Sequence, residues 1–512
     1  MNDLIDIIRS RALLEKSQRE LNALKTDPAP YQRGDVRLYP TSLYTAEGAL
    51  FCIASFPQEK FLCIAAAGRL PGQFDGPVTS AEGLRIMRAP LSPENAAALG
   101  ELFPFTRPVS LRQKRTTIGC GDRLGLASAA HLRAVRRYEA YPVLAQQSIR
   151  ELGYTGRDFA AVGADAAFLV FQEGYEGGWG ADGDHLKTIA DIDTALDAGF
   201  PMITLDLTEV LHPEAGDWKE SRVEEEFAAL PEAVRSHVLQ VYADRRFSLK
   251  QHSIDFPAAE AMRCALMYHR AVDFASEADR HIRSRRGDQY DLEISIDETS
   301  SPTLPSHHLF IIRELMNRGV TVNSLAPRFV GDFQKAVDYI GDPEEFEHQF
   351  AVHCDIAAVH GGYKISVHSG SDKFTVYPAI GRHTGGRLHL KTAGTNWLQA
   401  LHTIARAEPQ LYRRLHKKAI ESFPEALRSY HITADISDLP AADSLADEEL
   451  ERFLSTPAAR QMLHITYGGI LQDRSLWEEL FRALRTHEEL HYQLLERHIS
   501  RHLEALGVKK RK

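Results

Sequence analysis

Beyond about residue 110, short runs of alternating apolar and polar residues are separated by longer stretches whose apolar positions recur three and four apart. A period of two marks a half-buried strand, and a period of 3.6 marks an amphipathic helix. The strand-like runs fall at 116–125, 178–187, 201–210, 291–300, 320–329, 363–372, 387–395 and 429–438. Helical stretches such as 307–319 and 396–423 lie between most of them. Eight strand units alternating with helices predict a (β/α)8 barrel of the α/β class. An open doubly wound sheet is the competing arrangement. It calls for a dinucleotide fingerprint after its first strand, and Gly119–Gly125 lacks the closing GxxG spacing.

The flanks carry a different pattern. Leu4, Ile7, Ile8, Leu13, Leu14 and Leu21 fall roughly on one side of a helix spanning residues 1–24. Two apolar runs, 50–56 and 61–68, joined through Pro57–Lys60, predict a small β-hairpin. Residues 476–506 carry an apolar stripe opposite a polar face, which predicts a helix packed on its own barrel, with homo-oligomer formation as the other use. The expected division is an N-terminal α+β segment (1–110), a catalytic barrel (111–440) and a C-terminal helical extension (441–512) packed on the barrel.

Charge narrows the partners. With 60 basic and 70 acidic residues the chain carries a formal charge of −10, which argues against a nucleic-acid backbone as partner. The basic tail Val508–Lys512 is too short to reverse that field. The five cysteines form no CxxC pair and are odd in number, so they read as reduced thiols of a cytoplasmic protein. Charges throughout the first 21 residues exclude a signal-peptide core, and no run of about 18 apolar residues predicts a membrane span.

Polar residues gather at the C-terminal end of each strand-like run, where barrel enzymes assemble their sites. Alternation assigns directions. Ile365 and Val367 face outward, which turns Lys364, Ser366 and His368 inward; Leu292, Ile294 and Ile296 face outward, which turns Glu293, Ser295 and Asp297 inward. Asp206, Thr208 and Lys391 point inward by the same rule. Imidazoles and carboxylates meeting at one mouth suit a catalytic divalent cation such as Zn²⁺, Mn²⁺ or Ni²⁺. The expected ligands are His185, Asp297 and His368, with Glu298 replacing Asp297 if the loop turns early. An ordinary hydrogen-bonded network at a polar barrel mouth is the alternative. His307 and His308, at a helix start, read as caps or surface residues, with His308 held in reserve as a ligand. Lys187, Arg328, Lys373 and Lys391, aided by Ser369, Gly370, Ser371 and Asp372, form the expected grip on an anionic substrate. The four glycines of Gly177–Thr188 let the backbone present Asp184, His185 and Lys187 together at a tight turn.

In this order, Gly177–Thr188, Asp297–Thr299, Ser324–Gly331, Asp338–Asp342, Ser366–Phe374 and Tyr430–Asp435 resemble the tagaturonate epimerase family over about residues 115–480. The resemblance implies a metal-dependent isomerase of hexuronate catabolism that interconverts D-tagaturonate and D-fructuronate by inverting C4. It points to Asp184 and His185, the Asp297–Glu298 pair and His368. Proton abstraction at C4 gains nothing directly from the C2 ketone. Retro-aldol opening of C3–C4 instead requires a base for the C4 hydroxyl and a Lewis acid for the charge left on C2–C3. Asp184 and Glu298 are the expected acid–base pair. A barrel aldolase, a ketose isomerase or epimerase of neutral sugars, and a non-catalytic uronate-binding protein are the alternatives.

Overall fold

The computed structural model describes residues 1–57, 59–299, 301–430 and 432–511. Eight parallel strands close into a barrel: β1 (Thr116–Gly119), β2 (Tyr141–Ser148), β3 (Gly180–Leu186), β4 (Met202–Asp206), β5 (Asp291–Ile296), β6 (Ser324–Pro327), β7 (Lys364–Val367) and β8 (Leu388–Lys391). Closure runs through β8, whose Leu388 and Lys391 pair with Thr116 and Gly119 of β1. The expected (β/α)8 architecture is present. Leu292, Ile294, Ile296, Ile365 and Val367 are buried in one cluster with Leu309, Ile312 and Ile356 of the surrounding helices, so alternation read their outward direction correctly.

One strand was misplaced by the pattern. The run 429–438 supplies no strand: His431 lies outside the described residues, and those around it form neither strand nor helix. The Thr433 N–H and hydroxyl both donate to Gln334 Oε1, at 3.0 and 2.9 Å, so this segment is tied to a loop rather than a sheet. The missing strand is β2. Pro142 opens it, and the polar Gln146 and Gln147 close it, which disguises the alternation.

The N-terminal region builds a seven-stranded antiparallel-paired sheet in which the expected hairpin, Ala49–Ser55 with Lys60–Ala66, is central. Its aromatic face meets the barrel helix Phe159–Glu173: the Tyr44 and Phe103 rings lie 5.1 and 5.2 Å from Phe171. The single helix expected over 1–24 is broken into Asn2–Ser10 and Gln18–Leu24. Ala12 takes a left-handed φ of +48°, and the Ser17–Glu20 capping box starts the second helix afresh.

Beyond β8 the chain is helical, ending in Arg474–Thr486 and Glu488–Ala505. Tyr492 and Leu495 of the last helix pack on Ala129 and Ala130 of the barrel helix Ser128–Val135. The buried Glu488 carboxylate joins that helix to the N-terminal sheet: it accepts from Lys60 and Tyr39. Lys60 also donates to Gln172 of the barrel, at 2.8 Å. No helix among the described residues is long and apolar enough to cross a membrane.

Removing one partner of a buried ion pair strands the other charge. Glu488→Gln is expected to lower stability by about 3 kcal/mol, read as a reduced urea midpoint with unchanged denaturant slope. A midpoint within error of the parent would show that Lys60 is adequately solvated without it.

Candidate functional site

A cleft of about 790 Å³ opens over the C-terminal ends of the barrel strands. It is lined in turn by Gln146 and Ser148 of β2, Asp184 and His185 of β3, and Asp206 of β4. Asp297 and Glu298 beyond β5, Arg328 beyond β6, His368 beyond β7 and Lys391 of β8 complete the ring. This is the face on which the βα loops of a barrel converge.

His185, Asp297 and His368 meet there, each offering one ligand atom within 4.8 Å of the others. Adjacent strand residues should point to opposite faces, yet Asp184 and His185 both enter the cleft. The cause is a β-bulge: the β3–β4 register shifts between Gly183 and Leu186, and His185 adopts a left-handed φ of +55°. The bulge re-aims the imidazole without losing the inward direction of Asp182 and Asp184.

Each imidazole has one nitrogen fixed and one turned to the shared space. His185 Nδ1 lies 2.8 Å from Asp184 Oδ1, leaving Nε2 3.9 Å from Asp297 Oδ1 and 4.0 Å from Glu298 Oε1. His368 Nε2 lies 2.7 Å from Glu293 Oε1. Its Nδ1 is buried 3.0 Å from Asp297 Oδ1 without an aligned hydrogen bond. A carboxylate behind each imidazole sets its tautomer and orientation, as in metal-ligating histidines. The donor set and the orphaned His368 nitrogen fit a divalent cation of the zinc or manganese type.

Behind this trio lies a buried charge cluster. The Lys391 ammonium reaches Asp184 at 2.6 Å, Glu293 at 2.9 Å and Asp182 at 3.1 Å, and donates to Thr204 Oγ1 at 2.8 Å. Burial opposes ionisation, but Lys391 together with the imidazoles holds Asp184 and Glu293 well below the usual carboxylate range. Burial also opposes an imidazolium at His185, yet Asp184 and Asp297 outweigh it and raise this histidine to about 10. The carboxylates around His185 thus favour positive charge at this end of the cleft.

The remaining expected residues divide. Lys187 lines the cleft but is paired with Asp206 at 3.6 Å and Glu209 at 3.3 Å. Arg328 lines it with Nη1 on the Thr299 carbonyl, and Ser369 and Ser371 lie on the wall. Two residues are turned away. Lys373 is fully buried and donates to the carbonyls of Gln334, Val337 and Ser371 at 2.9, 2.6 and 3.0 Å, which leaves no ammonium proton for a substrate. Asp372, at φ +58°, accepts from Arg460 at 2.5 Å, while its N–H donates to His502 at 3.0 Å; both partners belong to the C-terminal helices. The residue after a strand end follows its loop rather than the strand's alternation, so neither direction was readable.

His307 and His308 are neither caps nor surface residues. Both are buried outside the cleft: His307 beside Tyr268 at 3.0 Å, His308 between His353 at 2.9 Å and Tyr363 at 2.6 Å. Two other potential ligand groups, Glu260–Cys264–His307 and Asp372–His498–His502, also lie outside it. Sequence reasoning missed Asp182, which the Gly180–Leu186 alternation already turned inward, Lys335, which stands on a loop without periodic signal, and Arg150, in the first turn of the short helix Ile149–Thr155.

A Cβ on Gly183 would stand 2.8 Å from both Ala195 Cβ and Leu186 Cδ1. Gly183→Ala is thus expected to cost about 1–3 kcal/mol of stability while shifting the bulge that aims His185. Urea titration beside the parent checks this, and an unaltered midpoint would show that the strand absorbs the methyl group.

Comparison with known proteins identifies the family. The family model described as tagaturonate epimerase matches residues 39–506. The tagaturonate/fructuronate epimerase of Thermotoga maritima is 37% identical over 469 residues, spanning 92% of this chain and 96% of its own. The native crystal structure of fructuronate-tagaturonate epimerase from Cohnella laeviribosi superposes with a TM-score of 0.89 at 45% identity, covering 93% of this chain and 97% of the other. Its complex with one glycerol gives 0.89 at 43% identity over 98% and 100%. By fold and by sequence over nearly its whole length, the chain belongs to the tagaturonate epimerase family.

Proposed function

We propose that this chain interconverts D-tagaturonate and D-fructuronate by inverting C4, using a divalent metal ion and retro-aldol chemistry. The observation that carries this reading is the pair of imidazoles, each backed by a carboxylate, whose free nitrogens converge on Asp297 at the barrel mouth. The names of the relatives supply the substrate. His185, Asp297 and His368 would hold the ion. When bound, it supplies Lewis-acid stabilisation, worth several kcal/mol, for negative charge on the ketone side of the substrate.

The chain's own residues do the rest. Glu298 stands half-exposed in the cleft, 4.0 Å from His185 and without a closer cationic partner among the described residues. It takes the C4 hydroxyl proton as C3–C4 opens and returns it after the bond re-forms, a role worth about 10²- to 10⁴-fold. Asp184 is committed to His185 and Lys391, so it acts through them, holding the imidazole in register. Arg328, Lys187 and Ser369 orient the hydroxyl-bearing chain from the loop side. The new aldehyde has to turn over before recombining, and a cleft of about 790 Å³ leaves room for that. The free, largely buried cysteines suit a reducing compartment, and we place the reaction in the cytoplasm.

Chelation followed by dialysis is expected to lower turnover of tagaturonate at least about 100-fold, with recovery on adding back a single divalent metal. Full activity in the metal-free protein defeats the metal assignment. In D₂O, the retro-aldol route leaves hydrogen at C4 of the product, and deuterium there by NMR would replace it with proton abstraction. Glu298→Gln is expected to lower kcat about 10²- to 10⁴-fold with little change in KM.

A further inference from the structure

The cations of the cleft are not equivalent. Lys391 is shared among three carboxylates, Lys187 is paired with Asp206 and Glu209, and Arg123 is held by Glu151 at 2.7 Å. Lys335 differs from them. It lies in the loop after β6 and lines the cleft, and among the described residues its ammonium makes one hydrogen bond, to Ser369 Oγ at 2.7 Å. Among the described residues no carboxylate comes within ion-pair distance of it. An ammonium has three protons, so two remain for a ligand. Burial pushes its pKa below the ordinary lysine value, as happens to a cation short of counter-charge, with Glu298 opposing that shift.

The chain fixes this ammonium in place. Lys373 grips the carbonyls of Gln334 and Val337 on either side of it. Gln461 donates to the Lys335 carbonyl at 3.2 Å and Arg460 to that of Ala336 at 2.9 Å. Ala336 itself adopts a left-handed φ of +62°. The Ser369 hydroxyl that receives Lys335 belongs to the residue following His368, so the ammonium stands next to the imidazole–carboxylate trio. Two further cations of the cleft also lack a carboxylate within ion-pair distance among the described residues: Arg150, over the Tyr430 ring at 4.9 Å, and Arg328, whose Nη1 is already spent on the Thr299 carbonyl.

We propose that Lys335, seconded by Arg150, is the subsite that takes the carboxylate of the ketouronate and so selects a sugar acid over a neutral ketose. The proposal rests on the epimerase reading and adds to it the residue that reads the acid group. A carboxylate there completes the unused donors of a partly buried ammonium, whereas the hydroxymethyl group of a ketohexose leaves that charge unmatched.

The test is calorimetric titration of the metal-loaded protein with tagaturonate and with tagatose, alongside steady-state kinetics, for wild type, Lys335→Met and Lys335→Arg. Lys335→Met is expected to weaken tagaturonate binding and raise its KM by about 30-fold, the effect of losing a charge-assisted hydrogen bond. Tagatose binding should change less than about 3-fold, and Lys335→Arg should recover most of the loss. An unchanged tagaturonate affinity, or equal losses for both sugars, overturns the assignment, as does a wild type that binds both equally. Should wild type bind tagaturonate in preference to tagatose yet fail to turn it over, the epimerase reading falls while the titrations still decide the subsite. A melting temperature matching the parent confirms that Lys335→Met is folded.

Discussion

Three carboxylates and one ammonium, buried together under the barrel mouth, carry the rest of the site. Asp182 and Asp184 from β3, Glu293 from β5 and Lys391 from β8 come from strands distant in sequence; Asp182, Glu293 and Lys391 are buried, and Asp184 is partly buried at the cleft floor. Unpaired, each would be forced toward neutrality, and breaking such a group by removing one member costs about 3–5 kcal/mol. Paired, they hold two acceptors in fixed positions. Those two, Asp184 and Glu293, are the groups that orient His185 and His368. The ion pairs that hold these charges in place are thus also the ones that aim the imidazoles.

Strain is placed where aim matters. His185 of the trio, and Ser369 and Asp372 in the turn that follows His368, adopt left-handed φ values without being glycine. Such conformations cost about 1–3 kcal/mol each and persist where the surroundings over-determine them. At β3 the bulge lets two neighbouring residues serve one cavity, which a regular strand forbids. At the β7 end the turn sends Ser369 to the cleft wall and Asp372 and Lys373 outward, to the C-terminal helices and the Lys335 loop.

The extensions also belong to the mechanical design. The C-terminal helices contribute Arg460 and Gln461 to the loop that presents Lys335, and Asp372 is locked to Arg460 and His502. The N-terminal sheet is joined to the last helix through Lys60 and Glu488. A barrel alone would leave the β6 and β7 loops without these anchors, and loops lacking buried contacts are the first parts of a fold to open.

By itself the sequence determined the barrel, seven of its eight strands and the outward direction of their apolar residues, because a period of two records which face meets the helices. It also determined that His185, Asp297 and His368 fall at strand ends. It did not determine β2, where a proline and two glutamines break the alternation, nor the fate of Thr433 and Ala434, whose hydrogen bonds go to Gln334 of a loop and Gln461 of a C-terminal helix. Only the tertiary structure decided that Lys373 and Asp372 hold backbone and helix instead of facing the cleft, and that Lys335, on a loop, and Arg150, in the first turn of a short helix, do face it. Loop side chains have no period to read: their direction follows from which distant carbonyl or carboxylate the closed fold brings within reach.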